Sequence, residues 1–247
     1  EIKGLSYDDD ILEIIVFDNN SSDETSSVFN KFKKKYCDLK LIKNKYNLGA
    51  DANIAKAYDN ASGKFVWVLG DDDQMISGAL EYILNILHQE NSEKLGIISL
   101  NSYSYLSKEI SPPFCFKSIK AFDSSNFVKK FFVKLTFISS LILRKDRDFQ
   151  AKKFVRSQLV QWKLVINNLN SFNKHLFINK YCILSKQNNS GEFAEKFLHE
   201  QKNYDRIKIF LINFIEILKT FKNQKSVFKH VKFKLLVNYF LYYFSYT

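Results

Sequence analysis

The stretch FVWVLGDDDQM, residues 65–75, joins five consecutive apolar residues to three consecutive carboxylates. A run that is apolar at every position, rather than at every second one, predicts a strand buried on both faces of a sheet. Such a strand from Phe65 to Leu69 delivers Asp71, Asp72 and Asp73 together at its carboxyl end. Upstream, ILEIIVF (11–17) has the same character and stops at Asp18. In the polar turn that follows, Ser21 and Glu24 have capping-box spacing, and Val28, Phe29, Phe32 and Tyr36 recur on one helical face. The strand-turn-helix unit repeats. Leu39 to Ile42 reads as a strand, and Ala50 to Ala61 as a helix with Ile54, Ala57, Tyr58 and Ala61 inward. After the acidic triplet, Gly78 to Gln89 reads as a helix with Leu80, Ile83, Leu84 and Leu87 inward, and Leu95 to Leu100 as a further buried strand. Alternating strands and helices predict an α/β protein with a doubly wound sheet, whose ligands sit at the carboxyl ends of the strands.

Beyond Asn101 the alternation fades into a loop at Pro112 and Pro113, a strand at Phe137 to Leu143, and helices at Gln158 to Leu169 and Tyr204 to Phe221. One domain over 1–200 with a helical basic and aromatic C-terminal region over 201–247 is the organisation this predicts. Seven glycines and two prolines in 247 residues argue against a sandwich of short strands. Cys37, Cys115 and Cys182 are odd in number and widely separated, so no disulfide framework or zinc site is expected and a reducing compartment fits. No apolar run is long enough to span a membrane, which points to a cytoplasmic protein, with peripheral attachment to the inner membrane face as the variant of that expectation.

Lysine and arginine number 37 against 26 acids, a net charge of +11 that favours an anionic partner. Three clustered carboxylates repel one another unless a cation lies between them, and oxygen-only ligands suit Mg²⁺ or Mn²⁺ bridging a diphosphate. The same triplet also reads as a solvated acidic turn capping the next helix. VFDNNSSDE (16–24) places Asp18 and Asn19 where a base or ribose could be held, or simply forms an Asx turn before a helix. In NLGADAN (47–53), Gly49 permits positive φ or close backbone approach, with Asn47 and Asn53 on either side.

In order and spacing, IIVFDNNSSDET and NKYNLGADANIAKAYDNASGKFVWVLGDDD together resemble the nucleotide-binding half of a family 2 glycosyltransferase with the GT-A fold, a mixed sheet flanked by helices. The resemblance covers about residues 11–100. It implies nucleotide contacts from Asp18, Asn19, Asn47, Asn53 and Asp71, and a divalent cation (Mg²⁺ or Mn²⁺) held by Asp72 and Asp73. It further implies a nucleotide-diphosphate sugar as donor, a glycan or lipid-linked acceptor, and a place in surface polysaccharide synthesis. LGDDD, with Gly70 at the first position of the acidic motif, is similar to bacterial O-antigen and capsule transferases. The strand that opens members of the family is expected to be missing, leaving a gap or an exposed edge in the sheet.

The resemblance also implies an acidic pair before a helix in the second half to supply a base, but Ser157 and Gln158 stand there. Asp146, Asp148, Glu192 and Glu195 are the candidates, the first two equally readable as a salt-bridged surface cluster with Arg144, Lys145 and Arg147. No catalytic residue is assigned. His88, His175, His199 and His230 are scattered. In SVFKHVKFKLLVNYFLYYF, Lys225, Lys229 and Lys232 share one helical side and Phe228, Val231 and Leu235 another, the pattern of a helix that lies on an anionic membrane or packs on the domain. Two rival functions remain, an inactive transferase fragment or binding module, and a nucleic-acid-binding protein. The lysines are dispersed and no basic-aromatic single-strand motif is present, so nucleic acid is not expected as a partner.

Overall fold

The computed structural model describes residues 12–34, 39–90, 93–104, 119–132, 134–157, 159–185 and 215–221, together with 227 and 231. In chain order the elements are β1 (Ile14–Asp18), α1 (Thr25–Lys33), β2 (Leu39–Lys43), α2 (Ala50–Asn60), β3 (Phe65–Trp67), β4 (Asp73–Met75), α3 (Ala79–Gln89), β5 (Leu95–Ser104), β6 (Ile119–Phe122), α4 (Ser124–Phe131), β7 (Leu141–Arg144), α5 (Val160–Ser171) and β8 (Lys174–Ser185). Short 3-10 turns at Lys134–Thr136, Ile138–Ser140 and Ala151–Ser157 flank β7. β1 and β2 pair in parallel, Asp18 opposite Lys43, as a two-stranded sheet. A six-stranded mixed sheet follows the order β3-β7-β5-β8-β4, with β6 also on β8. Within it β5 and β8 are parallel and the other pairs antiparallel.

Successive side chains of a strand point to opposite faces, and β5 shows the consequence. Ile97 joins Leu141, Leu143 and Phe177 against α2, α4 and α5, whereas Ile98 and Leu100 join Ile142, Leu176 and Ile178 against α3. Each of these side chains is at most 7% exposed, and burying one contributes roughly 1.5–3 kcal/mol. Ile217, Leu218, Phe221, Val227 and Val231 from the C-terminal region enter the first of these clusters, and Asn170 Nδ2 donates to the carbonyl of Thr220.

Several local expectations are corrected. The capping box of Ser21 and Glu24 does not form. α1 begins at Thr25, whose N–H and hydroxyl both donate to Asp23 Oδ1, while the Ser21 N–H turns back to Asp18. Among the described residues of the expected α1 face only Phe29 is buried, and Val28 and Phe32 are exposed; Tyr36 lies outside the described residues. The mixed sheet is the one expected of the GT-A fold, but β4, β6 and β8 were not expected as strands, because they lie in stretches where the apolar period is broken by Lys, Asn and Gln. Of the expected helix from Tyr204 to Phe221 the described part is 215–221, helical over 215–219, and the amphipathic reading of Lys225 to Phe244 lies outside the described residues except for Val227 and Val231.

Candidate functional site

α2 brings the sequence motifs to one end of the molecule. Near its N-terminus Asn53 Nδ2 donates to the carbonyl of Phe17, at the carboxyl end of β1. At its other end the Tyr58 hydroxyl donates to Arg144 O, and Arg144 lies opposite Phe65 at the start of β3. α2 therefore runs antiparallel to both strands, so Asp18 and the acidic triplet leave β1 and β3 on the same side. The N-terminus of α5 is there as well, since Asp51 Oδ1 accepts the Val160 N–H at 3.2 Å.

At the β1 exit Asp18 is 3% exposed. Its carboxylate accepts the Ser21 N–H at 2.7 Å and lies 3.2 Å from Lys43 Nζ, and these partners, Ser21 first, hold it below the usual carboxylate range. Beside it the asparagines grip one another. Asn19 Nδ2 donates to Asn47 Oδ1 (2.8 Å), and Asn19 Oδ1 accepts from the Leu48 N–H (2.9 Å) and from Asn44 Nδ2 (3.0 Å). Asn44 Nδ2 also reaches Asn53 Oδ1 (3.1 Å), while Lys56 Nζ donates to Asn44 Oδ1. Asn47 Oδ1 accepts the N–H of Gly49, which starts α2 at φ +81°, a conformation that favours glycine. Asn19, Asn47 and Asn53 are thus brought together, with much of their hydrogen-bonding capacity used in shaping the loop. Asn44, the buried centre of the network, escaped notice because a lone Asn after a short strand carries no pattern.

At the β3 exit the Asp73 N–H donates to Gly70 O at 3.3 Å, closing a turn with Asp71 and Asp72 at its corners. Asp73 then opens β4, which is pinned to β8 with Asp73 opposite Ser185. A Cβ placed on Gly70 would stand 2.8 Å from Asp72 Oδ1 and 3.3 Å from both Asp73 Oδ2 and Ser139 Oγ. Two carboxylate oxygens and a hydroxyl therefore converge on one small cradle. The partial desolvation of the turn, then the charges of Asp73 and Asp71, push the Asp72 carboxyl above its ordinary value. Like-charged oxygens held this close, with oxygen-only chemistry, suit a hard divalent cation that also takes ligands from a diphosphate. Among the described residues no group of three or more His, Cys, Asp or Glu has metal-site geometry, so substrate oxygens would have to complete the coordination.

Continuing the β3–β7 register from Trp67 and Ile142 brings Gly70 opposite Ser139, and continuing the β5–β7 register from Ser99 and Leu141 brings Asn101 opposite the same residue. Asn101 accepts from Lys134 Nζ at 2.8 Å, and desolvation lowers the pKa of that lysine. Asn101, Lys134 and Ser139 were not foreseen. Ser139 reaches Gly70 through strand pairing over tens of residues, with Asn101 on its other side.

Asp146 and Asp148 lie at the other end of the sheet. The β3–β7 register sets residue 146 level with residue 63, seven residues or about 23 Å from Gly70. Asp146 is occupied with the Asp148 N–H and Asn167 Nδ2, and no ion pair to Arg147 forms among the described residues. Both therefore lie away from the acidic turn. Glu192, Glu195 and Gln158 lie outside the described residues. Nor is His175 a ligand. It is fully buried, with its ring nitrogens engaged by Ile97, Ser124 and Phe172.

Residues 3–120 match the family model described as Glycosyl transferase family 2. A Campylobacter jejuni GalNAc(5)-diNAcBac-PP-undecaprenol beta-1,3-glucosyltransferase is 39% identical over 101 residues, 40% of this chain and 33% of that protein. A Borreliella burgdorferi cholesterol galactosyltransferase is 25% identical over 210 residues, 77% of this chain and 56% of that protein. The chain thus spans between a third and just over half of these curated relatives. Among solved structures, Staphylococcus aureus TarS 1–349 in complex with UDP aligns with a TM-score of 0.59 at 15% identity, covering 87% of this chain and 64% of that one. The Pyrobaculum calidifontis mannosyltransferase PcManGT, in complex with GDP-Man and Mn²⁺, aligns at 0.50 and 15% identity over 78% and 52%. The fold is GT-A, and residues 3–120 are similar to glycosyl transferase family 2.

Proposed function

We propose that the chain transfers a sugar, with inversion, from a nucleotide-diphosphate donor to a glycan or lipid-linked acceptor in surface polysaccharide synthesis. The observation that carries this reading is the convergence of Asp72 and Asp73, both inside the matched family segment, on the Gly70 cradle at the same end of the molecule as Asp18. Asp18, Asn19, Asn47, Asn53 and Asp71 serve the nucleotide, the asparagines chiefly by fixing the loop that receives it. Asp72 and Asp73 hold Mg²⁺ or Mn²⁺, which when bound neutralises charge on the diphosphate as it departs. In such a transfer the acceptor hydroxyl forms the new bond to the anomeric carbon, the bond to the diphosphate breaks, and the hydroxyl proton passes to a base.

The named relatives support this: TarS is solved with UDP and with UDP-GlcNAc, PcManGT with GDP-Man and Mn²⁺, and the Campylobacter protein is named for an undecaprenol-linked substrate. Among the described residues no helix is long and apolar enough to cross a membrane. A peripheral position on the inner membrane face, held by Lys225, Lys229 and Lys232, belongs to the same proposal. Val227 and Val231 are buried in the core, so attachment there rests on charge more than on an apolar face. Turnover of a panel of UDP- and GDP-sugars with Mn²⁺ tests the function. Release of nucleoside diphosphate from at least one donor is expected, and no turnover or binding of any of them contradicts it.

A further inference from the structure

We infer that Ser139 is the positioning residue of the acidic turn, and that its hydroxyl sets the cation affinity of Asp72 and Asp73. The inference rests on the function proposed above and adds a residue from the second half of the chain. Ser139 is 1% exposed, in the 3-10 turn Ile138–Ser140 just before β7. It holds the β3 exit at two points. Its carbonyl accepts from Trp67 Nε1 at 2.8 Å, and its Oγ accepts the Gly70 N–H at 2.9 Å. The first bond fixes the strand end and the second fixes the residue over which the carboxylates meet. The same Oγ is one of three oxygens within 3.3 Å of the Cβ position on Gly70, the others being Asp72 Oδ1 and Asp73 Oδ2. A hydroxyl that accepts from Gly70 keeps its own proton to donate, and the oxygens nearest that cradle are the carboxylates. Ser139 thus stabilises the turn in the one arrangement where both carboxylates face a common point. It does so without being a ligand that pattern could reveal.

Ser139→Ala separates the two links, because the bond to Trp67 is made by the backbone carbonyl and survives the substitution. The full chain and S139A are compared by Mn²⁺ titration with electron paramagnetic resonance, with and without UDP, and by hydrogen exchange of the Gly70 amide. S139A is expected to keep its thermal midpoint, to lose Gly70 protection, and to bind Mn²⁺ with UDP about tenfold to a hundredfold more weakly, the range for groups that orient metal ligands. Equal Mn²⁺ affinity in the two proteins overturns the inference, whether or not Gly70 protection changes, and leaves the proposed function standing. A loss of affinity matched by a large fall in thermal midpoint also overturns it, since Ser139 is then a general stability residue. A parent chain that binds neither UDP nor Mn²⁺ overturns the function and the inference together.

Discussion

Acidification should destabilise this protein through one buried imidazole. His175, at the start of β8, is fully buried. Its Nδ1 accepts the Ile97 N–H at 3.2 Å, which puts the proton of the neutral ring on Nε2, near Ser124 Oγ (2.9 Å) and Phe172 O (3.1 Å). Burial is the main cause that lowers its pKa from 6.5 to about 4, against a smaller upward pull from the Phe172 carbonyl and Asp123. The folded chain therefore keeps the ring neutral at pH values where the unfolded chain protonates it. Stability is full above the unfolded pKa and falls with pH between about 6.5 and 4, because the unfolded state binds the extra proton there. At 1.36 kcal/mol per unit, the loss from this group is about 2 kcal/mol by pH 5 and about 3 kcal/mol by pH 4. Urea denaturation of the parent and of His175→Gln across this range isolates the effect. The variant starts less stable, with its slope against pH reduced by that amount. Parallel slopes in the two proteins, or an imidazole seen by NMR to titrate near 6.5, would refute the reasoning.

Gly70→Ala should fold, since the nearest atoms to its new methyl are carboxylate ends that can swing away, yet it should lose cation-dependent nucleotide binding by calorimetry because the cradle is filled. Asp146→Ala and Asp148→Ala should retain donor turnover, both residues lying at the far end of the sheet from the triplet; loss of turnover in a folded variant would favour them as base candidates. Asp18→Asn removes a buried carboxylate from Ser21 and Lys43 and should cost about 1–3 kcal/mol by denaturant midpoint as well as weakening nucleotide binding.

The first half of the site was legible because its chemistry is written in consecutive residues. A near-continuous apolar run ending in Asp18, and an unbroken one ending in Gly70-Asp71-Asp72-Asp73, predict buried strands with polar exits; the structure has both strands, though β1 is only partly buried outside Asp18 and β3 stops at Trp67. What escaped reading depends on distant partners. β8 spans twelve residues with Lys174, Asn179 and Lys180 interrupting its apolar period, and it becomes a strand because β4, β5 and β6 all pair with it. Ser139 gains its place from residues 69 and 72 positions away, so nothing local distinguishes it from Ser140. The α1 face failed in the opposite way. Its spacing was right, but among the described residues only Phe29 is covered.

The most direct measurement is calorimetric titration of UDP and GDP into the full chain, with Mn²⁺ and with chelator, repeated on Asp72→Asn and Asp73→Asn. The carboxylates at the Gly70 cradle predict binding of at least one nucleotide with Mn²⁺, loss of that binding with chelator, and loss in each folded variant. Binding of equal strength with chelator, or unchanged by both substitutions, would contradict a cation-bridged diphosphate at Asp72 and Asp73.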